Sequence, residues 1–191
     1  MKSAELQIMP FKTAKAFGVW LKKNHASSAG IWLQFFKKGS GIKTITYAEA
    51  LDVALCYGWI DSQAKSFDDR SYLQRFGPRK PKSIWSKINR LHIARLTKEG
   101  RMMPTGLAQV AAAKKDGRWD SAYDSPKNMV VPDDFLKALS KNKKAEQFFN
   151  SLNKTNRYTI AWRLQTAKKP ETRKKRIEVI LALLKKGEKF H

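Results

Sequence analysis

Residues 59–76, "WIDSQAKSFDDRSYLQRF", decide the fold class. Two β-prone runs flank "DDRS", so the stretch predicts a β-hairpin with residues 68–71 as its turn, where Asp68 and Asp69 suit an Asx-type role. With Phe67 set opposite Tyr72, antiparallel pairing places Lys65 opposite Gln74 and Gln63 opposite Phe76. Strand alternation then collects Trp59, Asp61, Gln63, Lys65, Tyr72, Gln74 and Phe76 on one face. A face that mixes aromatic and polar groups suits a binding surface, and it equally suits an ordinary solvent-facing sheet.

Helical patterns surround the hairpin. On its N-terminal side Thr13 caps a helix carrying Phe17, Trp20 and Leu21, "GIWLQFF" is β-prone and "KKGSG" is a turn. Next, "TYAEALDVALCYG" carries a capping box from Thr46 and Glu49, an apolar stripe at Ala50, Leu51, Ala54 and Leu55, and a stop at Gly58. On the C-terminal side "GPRKPKS" leads to Ser83 as N-cap of a helix with Trp85, Ile88, His92 and Leu96 on one stripe, and His92 reads as a satisfied core histidine. A second helix over residues 105–115 turns Leu107, Val110 and Ala111 inward, and "GRWDSAYDSPKN" is loop.

The last third reads as helices only. Pro132 stands at a first helical position with Asp133 and Asp134 complementing the dipole. Further helices carry Phe148, Phe149 and Leu152, then Tyr158, Ala161, Trp162 and Gln165, and lastly Ile177, Ile180, Leu181 and Leu184 after Pro170. The expectation is an α+β fold, with a small mainly antiparallel sheet, a β-hairpin and flanking helices over residues 1–128. An all-α C-terminal helical subdomain over residues 129–191 completes it.

The 191 residues are 42% hydrophobic and 11% aromatic, which supplies a real core. The one cysteine, Cys56 in "ALCYGW", excludes an internal disulfide framework and reads as a small buried residue in a reducing compartment. The N-terminus has no uninterrupted apolar segment of signal-peptide type, and no membrane-length apolar run occurs, so no membrane insertion and a cytoplasmic location are expected.

Charge is the strongest compositional feature: 39 basic against 16 acidic residues, a formal +23. Such a field attracts polyanions, while scattered lysine also makes an ordinary solvated surface. The arginines are more concentrated, six of them between residues 70 and 101. Within that span Arg75, Arg79, Lys80 and Lys82 approach a helix start near Ser83, Trp85 and Ser86, followed by Lys87, Asn89 and Arg90. Free N–H groups there would seat an anion, with Trp85 and Tyr72 as stacking faces. The competing reading is a structural arginine network, with Arg75 beneath the sheet and paired to Asp61 or another carboxylate. A second basic surface, Lys168, Lys169, Arg173, Lys174, Lys175 and Arg176, loads cations onto the start of the last helix. The helix dipole disfavours that arrangement unless an anion or a neighbouring carboxylate compensates.

Catalytic signatures are scarce. His25, His92 and His191 show no metal-ligand spacing, no nucleotide-binding glycine motif occurs, and no metal or cofactor is expected. Asp61 is the one weak candidate acid or base, with a salt bridge to a following arginine as the plainer reading.

The stretches "YAEALDVALCYGWIDSQAKSFDDRSYLQRFGPRKPKSIWSKINR" and "LTKEGRMMPTGLAQVAAAKKDGRWDSAYD", with the tail "VPDDFLKALSKNKKAEQFFNSLNKTNRYTIAWRLQTAKKPETRKKRIEVILALL", carry a family resemblance. The chain resembles the YdeI/OmpD-associated, or bacteriocin-protection, family from about residue 11 to 187. The matching positions include Gly58, Trp59 and Asp61, then Arg75, Pro78, Arg79, Ser83, Trp85, Ser86 and Asn89, and Pro170, Glu171, Arg173 and Arg176 in the tail. The resemblance implies a link to an outer-membrane porin and to bacteriocin tolerance, brings no catalytic residue set, and fits a cytoplasmic stress or envelope role. Three functions remain in view. They are a non-enzymatic binder of nucleic-acid backbone or a phosphorylated ligand, an enzyme or small-ligand pocket around Asp61, and a module whose C-terminal helices dock an acidic protein.

Overall fold

The computed structural model describes residues 5–190 and divides into two compact units. The first takes the chain up to Trp85 together with Asn89–Ser121, and the second takes Ser86–Ile88 and the residues from Ala122 onward. The mixed α+β architecture expected from the hairpin and the helical tail is the one observed.

In the first unit β1 (Ile8–Pro10), α1 (Ala14–Asn24) and β2 (Ile31–Phe36) form a strand-helix-strand passage. Then come α2 (Tyr47–Cys56), β3 (Trp59–Ser66), β4 (Ser71–Pro78), α3 (Lys87–Lys98) and α4 (Pro104–Lys115). The sheet order is β1-β2-β4-β3, with β1 parallel to β2 and the other pairs antiparallel. The parallel pair depends on the α1 crossover, since a tight turn joins only antiparallel neighbours. Thr13 accepts the Ala16 N–H at the start of α1, and Thr46 and Glu49 form the full capping box of α2. Local chemistry therefore sets both starts. Ile31, Leu33 and Phe35 alternate onto the buried face, where with Trp59 and Phe76 they meet Phe17 and Leu21 of α1 and Ala50, Val53 and Ala54 of α2.

The hairpin forms, but its register differs from expectation. Ser66 pairs with Tyr72, Lys65 with Leu73 and Ala64 with Gln74, whereas Asp61 pairs with Phe76. One extra residue in β3 is absorbed between Asp61 and Ala64. Such a bulge flips every side chain beyond it to the other face. Gln63 and Lys65 are thereby separated from Trp59, Asp61, Tyr72 and Gln74, so the predicted single face does not exist. Trp59 and Phe76 are core residues, 1% and 0% exposed.

The helix after the basic segment begins at Lys87, not at Ser83. Its buried residues are Asn89, Ile93 and Leu96, Ile88 is exposed, and Trp85 precedes it. His92 is half-buried and lies 3.1 Å from Asp52 of α2, which also receives both close contacts of Arg95 Nη2 at 2.6 Å. It is therefore a half-buried neighbour of the Asp52 carboxylate and no core histidine. In α4 the inward residues are Gly106, Val110 and Ala113, while Leu107 and Ala111 face solvent. Gly106 sets this face, because a Cβ there would stand 2.2 Å from the Cys56 carbonyl oxygen.

The second unit holds α5 (Asp133–Leu139), α6 (Lys143–Ser151), α7 (Lys154–Gln165) and α8 (Pro170–Lys186). Pro132 is the residue before α5 and not its first helical one. Asn142 and Asn153 cap α6 and α7. Phe135, Leu139, Phe149, Leu152, Ile160, Leu164, Ile180 and Leu184 make the core. Residues 86–88 join this unit through the Lys87 N–H on the Tyr123 carbonyl and the Lys87–Asp124 ion pair at 2.8 Å. The cation-rich start of α8 finds its compensating carboxylate in Asp134, which Arg173 contacts at 2.6 Å. Among the described residues no helix is long and apolar enough to cross a membrane.

Candidate functional site

The arginine centre is assembled largely as a structural network. Arg79 is 6% exposed, its guanidinium carbon lies 3.6 Å from the centre of the Trp85 ring, and Nη1 donates to the Ile84 carbonyl. Trp85 meets the ring of Trp119 edge-on at 4.9 Å. Arg90 lies 5.2 Å from the Trp119 ring and donates to the Trp119 carbonyl at 3.0 Å. Arg118, also buried, contacts the Asp116 carboxylate at 2.7 Å and donates to the Ser83 carbonyl. Three guanidinium groups thus satisfy carbonyls of irregular backbone that no helix or strand ladder serves. Burial of Arg79 and Arg118 removes them from any solvent-facing surface.

The anion seat predicted at Ser83–Ser86 is also changed. Ser83 accepts the Lys80 N–H and caps no helix, and the Lys87 N–H, the first of α3, donates to Tyr123. Ser86 and Asn89 are buried. Lys80 and Lys82 remain exposed, just past the end of β4. Trp119 and Arg118 were missed because they fall in a stretch with no periodicity. A tryptophan inside a predicted loop was the available signal that the loop is packed.

Asp61 accepts a 2.8 Å hydrogen bond from the Tyr47 hydroxyl. Arg75 cannot be its partner, since Asp61 pairs with Phe76 and Arg75 points from the opposite face of β4. Gln74 is buried and donates to the Ser62 carbonyl inside the bulge.

That opposite face of the sheet is open and carries the most distinctive solvent-facing chemistry of the unit. Pairing aligns Ile8 with Trp32 and Trp32 with Arg75, and aligns Gln34 with Leu73 and Leu73 with Lys65. Trp32 and Arg75 are half-buried, while Ile8, Gln63 and Lys65 are exposed. The Lys65 ammonium stands 4.4 Å from the Trp32 ring centre. Lys65 lies on β3 and Trp32 on β2, with β4 between them, so this contact spans about 9–10 Å of strand spacing and crosses above Leu73. Leu73, fully buried, lies in register between Gln34 and Lys65 on this face. An aromatic face under a cation, flanked by a second cation in register, can stack a planar base and neutralise its phosphate.

Lys168 and Lys169 just before α8, and Lys174 and Lys175 on it, are exposed. Arg173 instead donates to the Leu164 carbonyl, and Arg176 to the Arg163 carbonyl.

Comparison with known families follows the division of the chain. A family model described as Domain of unknown function (DUF8412) matches residues 9–109, more than half of the chain. The chain belongs to that family. Residues 128–187 match the model described as Bacteriocin-protection, YdeI or OmpD-Associated, so the helical tail is a YdeI/OmpD-associated domain. The DUF8412 match thus takes in nearly all of the sheet, α1 to α3 and the first half of α4, and the second match takes in α5 to α8. Comparison with curated proteins and with solved structures returns no match.

Proposed function

We propose that this DUF8412 protein is a binding module rather than an enzyme, that it works in the cytoplasm, and that its partner is an anionic polymer, single-stranded nucleic acid. The observation that carries the reading is the open sheet face, where Lys65 lies over Trp32 and Arg75 stands in register beside the same tryptophan. A base displaces Lys65 from the ring and leaves the ammonium beside the phosphate, so stacking and charge neutralisation come from one rearrangement. Lys80 and Lys82 extend the basic track beyond β4, and the net charge of +23 draws a polyanion toward any part of the surface. The engagement of Asp61 by Tyr47 weighs against a general base on the buried face. A setting in bacteriocin tolerance rests on the family description of the tail alone.

Fluorescence anisotropy with labelled single-stranded DNA, RNA and duplex, titrated with salt, tests this reading. Log affinity for single strands should fall with log salt by roughly 0.7 per neutralised phosphate, and Trp32→Ala should weaken binding by about 1–3 kcal/mol. Lys65→Glu/Arg75→Glu should flatten the salt slope. Duplex bound as tightly as single strands, or a folded Trp32→Ala variant binding at parental affinity, would refute it.

A further inference from the structure

A cavity of about 370 Å³ opens in the second unit between the segment before α5 and the N-terminal turns of α7. Lys127, Lys154 and Arg157 line it with the hydroxyl-bearing Tyr158, and Met129, Val131 and Ala161 form an apolar wall. Among the described residues that line it there is no carboxylate. Lys154 and Thr155 are the first residues of α7, and their N–H groups lie outside the helix ladder, because the Asn153 side chain takes only the Asn156 N–H. The first turn of α7 carries no acidic residue to balance its dipole. Arg157 Nη2 donates to the Asn150 carbonyl and its guanidinium carbon lies 5.5 Å from the centre of the Phe149 ring, whereas its buried Nε has no hydrogen-bond partner. A buried donor without an acceptor is unusual in a folded protein, and here it belongs to a side chain that lines a cavity with two further cations.

We infer that this cavity is a binding site for a phosphate monoester bearing a compact apolar group. Three cations around one cavity match a dianion with several acceptor oxygens, while the apolar wall takes the ester substituent. A carboxylate would leave most of that charge uncompensated. The phosphate could be presented by a small ester or by the 5′ end of a nucleic acid, two sources with the same recognition chemistry. The site lies in the YdeI/OmpD-associated domain and stands independently of the sheet face.

The test is an amide NMR titration of the full-length protein with phenyl phosphate, inorganic phosphate, phenol, and a dinucleotide with and without a 5′-phosphate. Phenyl phosphate should shift amides of residues 126–131 and 154–158 saturably, binding about 10-fold more tightly than inorganic phosphate, with phenol inert. Lys154→Glu, an exposed position, should abolish the shifts while the rest of the spectrum is unchanged, and Lys127→Glu should weaken them. Trp32→Ala should leave them intact, which separates this site from the sheet face. A 5′-phosphorylated dinucleotide that competes with phenyl phosphate extends the ligand class to nucleic-acid ends. One that binds while phenyl phosphate does not overturns the small-ester assignment. Absence of saturable shifts up to about 10 mM, or parental affinity in a folded Lys154→Glu variant, overturns the site itself.

Discussion

Gly106→Ala is a one-methyl perturbation whose effect is set by the contact between α4 and the end of α2. An ideal Cβ at position 106 would lie 2.2 Å from the Cys56 carbonyl oxygen, 2.9 Å from its carbon and 3.0 Å from the Leu55 oxygen. Ordinary carbon-to-oxygen contacts begin near 3.3 Å, so α4 must retreat by about 1 Å. The retreat weakens the Met103 N–H to Cys56 carbonyl bond, now 3.1 Å, at a cost of about 1 kcal/mol. It also loosens Val110 and Ala113, and forced repacking of this kind costs roughly 1–3 kcal/mol. Replacing a helical glycine by alanine returns about 1 kcal/mol of propensity, so the net destabilisation is about 2 kcal/mol. Urea unfolding followed by tryptophan fluorescence reports on the right unit, since Trp20, Trp32, Trp59, Trp85 and Trp119 all lie in it. The midpoint should fall with the slope unchanged. Ala112→Gly, on the exposed side of the same helix, supplies the control and should cost only about 1 kcal/mol. A neutral or stabilising Gly106→Ala would show that the close approach of the two helices does not hold the unit together.

Three further outcomes follow from the same geometry. Arg79→Lys keeps the charge but loses the flat stack on Trp85, and should cost about 1–2 kcal/mol in urea with little change in nucleic-acid affinity; the reverse pattern would make Arg79 a contact residue. Hydrogen bonding to Arg173 holds the Asp134 carboxyl below the ordinary aspartate range. Its contribution is therefore present above the unfolded carboxyl's pKa and is lost as pH falls through the lowered folded value. Asp134 is half-exposed, so Asp134→Asn should destabilise the helical unit by under about 1 kcal/mol at pH 7. The two proteins should converge at strongly acidic pH, as read by far-UV circular dichroism melts. Burial pushes the Cys56 thiol up, with Arg101 pulling the other way, so a thiol-specific disulfide reagent at pH 8 should react slowly with the native protein and rapidly in urea.

Elements governed by neighbours in sequence are legible in the sequence itself. The capping box of α2 needs only residues 46 and 49, and the alternation of β2 needs only its own period. The hairpin was found for the same reason. Its bulge was not, because an extra residue in β3 is defined only against β4, and nothing in "WIDSQAKSF" marks where the strand absorbs it. That one residue changed the composition of both faces, which is why the candidate site on the hairpin moved from the Asp61 face to the Trp32 face. The short β1 was equally hidden, since three residues carry no detectable period and gain their place only by pairing with β2.

The sequence by itself determined the α+β class, the helical tail, most helix positions and the large positive charge, because these depend on residue type and on spacings of a few positions. Tertiary structure alone decided which cations are spent inside and which face solvent. Arg79 stacks on Trp85, Arg118 reaches the Ser83 carbonyl and Arg173 meets Asp134. The last two pairings span 35 and 39 positions of chain. A guanidinium is chosen for burial or for binding by the carbonyl or carboxylate that folding brings beside it, and that neighbour is not written in the arginine's own stretch of sequence.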